Sequence, residues 1–338
     1  MSPGEGKGHA KGSQGNSVAN ASRDLIGVIV TSAAPASPRP TDLPNAAASG
    51  TWQLGDRTIH RLGFGAMRLT GTGAFHHGTP RDRATSIAVV RRAVELGVNH
   101  IDTAAFYFSA LRSANEIVNA ALAPISPDDV LVATKVGPRR DRAGGWENAA
   151  RPEDLRGDVE QNLRELGRDH LDLVYLRNMR WDSIADHFGA LAELREEGLI
   201  RHLGVSGVST AQLHEARAIA PVVSVQNKFG LDDTAAMDVM RTCGELGIAF
   251  VPFFAIAGAR PRGAEAAPPA EAVDTEEDRA AQVAEAHGVT PQQIRLAWTL
   301  SQGPHVLAIP GTGDVAHLEA NIAAGAIRLT DEELKSLA

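Results

Sequence analysis

The sequence predicts an α/β protein: a (β/α)8 TIM barrel with an N-terminal β-hairpin and two extra C-terminal helices. Three observations lead there. From residue 61 onward, eight short apolar runs alternate at nearly even spacing with amphipathic segments, seven between them and two after the last. Polar residues recur at the C-terminal ends of those runs, where a barrel gathers its chemistry. A doubly wound nucleotide fold is the competitor, but its G-x-G-x-x-G loop is missing: the best match, GFGAMR, lacks the third glycine.

Residues 1–48 are rich in Gly, Ser, Ala, Pro and Asn without periodicity, which reads as a disordered extension ahead of a barrel spanning 51–338. WQLGDRTIHRLGFGAM then predicts a hairpin turning at Gly55–Asp56 and a first strand over 61–66. The remaining strands are expected at 100–104, 130–135, 171–176, 202–206, 222–227, 249–254 and 306–311. Helical spacing places helices at 80–96, 113–123, 152–166, 183–197, 209–219, 233–246 and 276–302, then two more near 314–324 and 330–337. The stretch 258–278, following the seventh strand, is expected to be a mobile loop.

The 338 residues are 43% hydrophobic and 22% charged, with net charge −8. An acidic chain of pI 5.8 argues against a general nucleic-acid or anionic-membrane binder. No apolar stretch reaches the roughly 18–20 residues a membrane span needs. LIGVIV, at 25–30, is short and far from Met1 for a signal peptide, so the expected location is cytoplasmic. The single Cys243 excludes an internal disulfide and, in the helical pattern MDVMRTCGEL, reads as a buried inert thiol. His76–His77 has no acidic or thiol partners nearby and reads as a solvated loop, so no metal site is expected.

The polar strand ends are Asp102, Lys135, Arg177, Ser206, Gln226 with Asn227, and the run into Pro310–Gly311–Thr312; all should face one crevice. Asp102 and Lys135 could be no more than a structural ion pair between adjacent strands. Tyr107, one of only two tyrosines, makes a stronger reading available. A carboxylate would neutralise and orient the lysine, and the lysine would lower the phenol's pKa from its usual value of about 10. A phenol so placed can serve as a general acid.

From about Trp52 to Leu337 the chain resembles the aldo-keto reductase superfamily. The resemblance is carried by LGFGAMRL, GVNHIDTAAFY, LVATKVG, LRELGRDHLDLVYL, EEGLIRHLGVS, SVQN, WTLSQGPHVLAIPGT and HLEANIAA. KVGPRR, Trp146 and YLRN are similar to its pyridoxal reductase (pyridoxine 4-dehydrogenase) branch. The resemblance implies an oxidoreductase that interconverts small-molecule aldehydes or ketones and alcohols with NADP(H). It places the family's four catalytic positions on Asp102, Tyr107, Lys135 and Arg177, the last where a histidine is usual. It implies Ser206 and Gln226 for the nicotinamide carboxamide and Phe229 stacked on the nicotinamide ring. Phe254, Ile256 and Gly258 should follow the pyrophosphate, and Ile309, Pro310, Gly311, Thr312, His317 and Asn321 the adenosine end.

Four departures from the family pattern stand out. Phe108 replaces the glycine after the tyrosine, Gly207 replaces an asparagine that helps hold the carboxamide, and Lys228–Phe229–Gly230 departs from N-x-Y-N-L. Asp314 and His317 stand where many relatives carry Lys and Arg for the 2′-phosphate, leaving Thr312 and a helix N-terminus to hold it. Two rival readings follow: a tailoring enzyme acting on a bulky biosynthetic intermediate, or a low-turnover nucleotide-binding regulatory subunit. With Arg177 unable to titrate, the whole proton transfer should fall on Tyr107.

Overall fold

Gly55, at φ +62, turns β1 (Thr51–Leu54) back into β2 (Arg57–His60), an antiparallel pair in register from Thr51↔His60 to Leu54↔Arg57. The computed structural model describes residues 43–72, 79–141, 145–147, 149–256 and 276–337. Beyond the hairpin, seven parallel strands follow in chain order. They are β3 (Phe64–Gly65), β4 (His100–Asp102), β5 (Leu131–Val136), β6 (Leu171–Arg177), β7 (Ile200–Ser206), β8 (Val222–Gln226) and β9 (Ala249–Phe250). The eighth run is short but closes the circle: Val306 bridges Phe250 on one side, and Ala308 bridges Leu62 on the other, both in parallel.

Side-chain alternation along the strands builds two cores. Leu131 and Ala133 of β5, with Leu173 and Tyr175 of β6, fill the barrel together with Ala249, Val251 and Leu307. Leu54 and Ile59 of the hairpin join that inner cluster, so the hairpin plugs the N-terminal mouth. The intervening Val132, Val136, Val174 and Leu176 face outward into the layer beneath the helices.

Those helices are α1 (Arg83–Glu95), α2 (Ala114–Leu122), α3 (Leu155–Leu166), α4 (Ala185–Glu196), α5 (Thr210–Ile219) and α6 (Met237–Leu246). Next come α7 (Glu276–His287), α8 (Pro291–Ser301), α9 (Val315–Ala323) and α10 (Asp331–Leu337). Neighbours in sequence pack as neighbours in space from α1 to α6, and α9 packs against both α8 and α1. α7 and α10 pack on each other, tied by Arg279 Nη1 donating to Ser336 O at 3.2 Å and by His287 against Glu333 at 2.7 Å.

Two boundaries differ from expectation. The single helix expected over 276–302 is two. Gly288 takes φ +64, Thr290 caps α8 through a reciprocal capping box with Gln293, and Pro291 opens the new helix. The expected extension also ends earlier than residue 48. Asn45 caps a short 3₁₀ turn over Ala46–Ser49, Ala46 is fully buried, and its amide donates to Leu96 O at 2.8 Å. Residues 1–42, His76–His77 and 258–275 lie outside the described residues.

Cys243 is buried on α6, and burial pushes its thiol up to about 12, in keeping with an inert side chain. Among the described residues there is no cluster of metal-ligating side chains. Nor, among them, is any helix long and apolar enough to cross a membrane.

Candidate active site

Asp102 ends β4, and Lys135 lies one residue before the end of the neighbouring β5. Lys135 Nζ donates to Asp102 Oδ1 at 2.5 Å and to Thr103 O at 3.0 Å, and all of this is buried. Tyr107 follows in the β4–α2 loop, fixed on both sides of its peptide: its N–H donates to Ala104 O at 3.0 Å, and its carbonyl accepts from Ala114 N at 2.8 Å. That geometry sets its ring 4.9 Å from Lys135 Nζ, and the two side chains also share a hydrogen bond. The aromatic ring is buried to 8% exposure, so the acid, the lysine and the phenol form one desolvated unit.

The supports for this unit were not foreseen from sequence. Behind it runs a buried chain of amides and hydroxyls: Thr103 Oγ1 donates to Asn115 Oδ1 at 2.8 Å, Asn115 Nδ2 to Asn162 Oδ1 at 2.9 Å, and Thr134 Oγ1 to Asn162 Oδ1 at 2.6 Å. These tie β4 and β5 to α2 and α3 and fix the strand ends that carry the charges.

Electrostatically, the phenol differs from expectation. Burial raises the Tyr107 pKa above its usual 10.0, and Asp102 adds to the rise, while Lys135 and Arg177 pull the other way without overcoming it. The expected lowering is therefore overturned: taking a phenolate out of water costs more than two nearby cations return. Burial likewise works against the charge on Lys135, but attraction to Asp102 and Tyr107 and hydrogen bonds to both outweigh it, so its pKa rises. The site thus holds a protonated phenol against a protonated lysine.

Arg177, Ser206 and Gln226 are register neighbours at the ends of β6, β7 and β8. Arg177 Nη1 donates to Ser206 Oγ at 3.2 Å, and its guanidinium lies 4.9 Å from the centre of the Phe253 ring. Gln226 Nε2 donates to Asp102 Oδ2 at 2.8 Å, so this amide also orients the Asp102 carboxylate. Asn227 is a scaffold residue: its Oδ1 accepts from Gly207 N at 2.8 Å and Val208 N at 3.1 Å, shaping the loop after β7.

Phe229 is a correction. It is 1% exposed, stacked on Trp298 at 5.7 Å and edge-on to Phe250 at 5.6 Å, and so fills the layer beneath α8. A ring held on both sides by other rings offers no face to a cofactor. Phe253, half-buried at the end of β9 and under Arg177, is the aromatic that borders the crevice. The clue was its place at a strand end, FVPFF, which the resemblance to another strand obscured. Phe254 beside it takes φ +63 and is exposed, and Ile256 is half-buried; Gly258 lies outside the described residues.

At the opposite flank, Thr312 and Asn321 are buried while His317 is exposed. Asp314 caps α9, its Oδ1 accepting His317 N at 2.9 Å, so one amide expected for a phosphate is already engaged. A basic group missed in the sequence lies across from it. Arg81, from the β3–α1 loop, donates through Nε to Arg68 O at 3.0 Å and reaches Gly313 O at 3.4 Å. A side chain at 313 would collide with that guanidinium, so Gly313 makes its room. An aromatic face, a hydroxyl, an amide oxygen, a capped helix start and a guanidinium are groups that can hold a nicotinamide dinucleotide.

The sequence profile of the aldo/keto reductase family matches residues 61–338. The chain belongs to this family. Pyridoxine 4-dehydrogenase of Escherichia coli is 41% identical to this aldo/keto reductase over 297 residues, 86% of this chain and 98% of that one. Glycerol dehydrogenase of Gluconobacter oxydans superposes with a TM-score of 0.72 at 26% identity, over 86% of this chain and 94% of the other. An aldo-keto reductase from Klebsiella pneumoniae, solved in complex with NADPH, superposes with a TM-score of 0.67 at 25% identity, over 85% and 93%. The barrel, its hairpin plug and its polar C-terminal mouth are those of an oxidoreductase scaffold.

Proposed function

We propose that this protein is an NADPH-dependent carbonyl reductase in which Tyr107 is the proton donor. The reading rests on one observation: a buried Asp102–Lys135–Tyr107 unit at the C-terminal mouth of the barrel. When bound, the reduced nicotinamide supplies a hydride to the carbonyl carbon. Tyr107 supplies the proton to the carbonyl oxygen, leaving an alcohol and a phenolate. That phenolate forms beside Lys135, whose positive charge and hydrogen bond stabilise it where the charge develops. Asp102, held in turn by Gln226, keeps Lys135 protonated and pointing at the phenol. The steps run equally in reverse, from alcohol to carbonyl.

For the cofactor, Ser206 and Gln226 would hold the carboxamide, Phe253 the nicotinamide face, and Thr312, Asn321 and Arg81 the adenosine end. NADPH is favoured because the K. pneumoniae relative was solved with it, and because Arg81 supplies a cation near α9 where Asp314 does not. Pyridoxine and its aldehyde are the first pair to try, after the E. coli relative's name. The test is a carbonyl and alcohol panel followed by NADPH absorbance. Turnover that depends on Tyr107 supports the reading, and tight NADPH binding without single-turnover oxidation would instead mark a regulatory nucleotide binder.

A further inference from the structure

Arg177 is a half-buried cation with no anion beside it. Its contacts are one hydroxyl, Ser206 Oγ at 3.2 Å, and one ring face, that of Phe253. Tyr107 is the nearest titratable neighbour acting on it, and the phenol is neutral. Among the described residues no carboxylate lies within ion-pair distance. Other well-buried guanidiniums in this molecule are compensated. Arg57 and Arg168 share Asp172, at 3.6 and 3.2 Å, Arg295 pairs with Asp232, and Arg61 donates to the carbonyls of Val306, Gly303 and Leu300. Among the described residues, these buried arginines have carboxylates or several carbonyls to answer them, and the one beside the phenol has neither.

Leaving such a charge unpaired costs stability, and the backbone is shaped to keep it. Gly207 sits at φ +71, and a Cβ there would occupy the place of Arg177 Nη1. The glycine that replaces the family's asparagine and the arginine that replaces its histidine thus fit together as one adaptation. A guanidinium with donors left over, at a desolvated mouth, recognises a carboxylate or another oxyanion through paired N–H···O bonds. Ser206 occupies one N–H only. Phe253 covers one face of the plane.

We propose that the substrate carries an anionic oxygen group besides its carbonyl, and that Arg177, in the space Gly207 leaves, binds that group. The inference rests on the carbonyl-reductase reading and names the substrate class for it: aldehydes or ketones bearing a carboxylate or comparable oxyanion. Arg177 supplies the compensating positive charge, and the substrate supplies the counter-ion the fold omits.

The test compares the carboxybenzaldehyde isomers with their methyl esters, matched in shape and differing in charge, using holoenzyme with NADPH. The expected result is a preference in kcat/KM of at least about tenfold for the best acid over its ester, equivalent to about 1.4 kcal/mol, residing mainly in KM. Arg177→Gln should bring acid and ester to near parity by raising KM for the acid, and Arg177→Lys should restore part of the preference. NADP+ affinity, measured by titration, should not follow the acid's KM. Equal use of acid and ester by the unmodified enzyme would overturn the inference while leaving the reductase reading intact. So would a parallel loss of NADP+ affinity in Arg177→Gln, because the cation would then serve the cofactor. No turnover of any carbonyl would instead sink the reductase reading itself.

Discussion

The two mouths of the barrel use similar residues to opposite ends. At the N-terminal mouth, charges answer one another. Asp172, with its side chain 1% exposed, accepts from Val132 N at 2.9 Å and from Arg168 at 3.2 Å, and faces Arg57 of the hairpin. Asp56, in the hairpin turn, accepts from both Arg201 and His202 at the start of β7. Arg61 ties the hairpin to the turn before the eighth strand through three carbonyls. At the C-terminal mouth the charges are not all answered: Arg177 is half-buried with a hydroxyl and a ring face for company, and no carboxylate among the described residues pairs with it. Paired charges hold a fold shut, and a buried cation with no paired anion can act on something else. On the proposed function, the difference separates residues that stabilise from residues that react.

The largest effect should come from the reactive end. Tyr107→Phe should lower kcat by about 100- to 10,000-fold, the usual worth of a general acid, with NADPH affinity unchanged, as single-turnover kinetics and a binding titration would show. Unchanged kcat would remove Tyr107 from the mechanism. At the other end, Asp172→Ala should cost about 3–5 kcal/mol in denaturant unfolding, because it strands the Arg168 guanidinium and the Val132 amide and removes one of the two carboxylates facing Arg57. Activity per folded molecule should hold. A loss of activity without a loss of stability would show that the two mouths are not separable.

Acid should distinguish them further. His100 begins β4 with both ring nitrogens buried, and burial, with the charge of His60 adding and a His60 backbone hydrogen bond opposing, depresses it from 6.5 to about 4. Between those values the unfolded chain takes up a proton that the folded chain refuses. Its contribution is therefore fully present above pH 6.5 and falls away as pH drops, by about 3 kcal/mol in all. Unfolding free energies of the unmodified protein and His100→Gln should converge toward acid; parallel curves would refute this. Turnover should not fall on the alkaline side until above pH 10, since the active phenol is the protonated form and its pKa is raised. A fall near neutrality would mean that another group donates the proton.

Smaller effects test the edges of each mouth. Removing residues 1–42 should leave Tm unchanged, whereas removing 1–49 should cost about 2 kcal/mol, since it deletes the Ala46–Leu96 and Ala48–Arg328 hydrogen bonds and the Ser49 hydroxyl on Leu62 N. Equal melting curves for the two truncations would return the boundary to residue 48. Arg81→Ala should weaken NADP+ binding about tenfold, near 1.4 kcal/mol, and leave NAD+ alone. Equal losses for both would take Arg81 away from the 2′-phosphate.

Sequence by itself determined the barrel, its strand order and the Asp102–Tyr107–Lys135 set. Short apolar runs, amphipathic spacing and polar residues at most strand ends are local signals legible along the chain. It also marked Arg177 and Gly207 as departures, though separately. What only the tertiary structure decided were relations between distant segments. Phe229 and Phe253 are both aromatics near strand ends, and only packing against Trp298 buries the first and leaves the second at the crevice. The sign of the Tyr107 shift depended on how much water the fold excludes, which no count of nearby charges reveals. Arg81 meets Gly313 across 232 residues of chain, and Gly207 is seen to make room for Arg177 only when β6 and β7 lie side by side. Spacing along a chain reports which face a side chain takes; burial and partners come from closing the barrel.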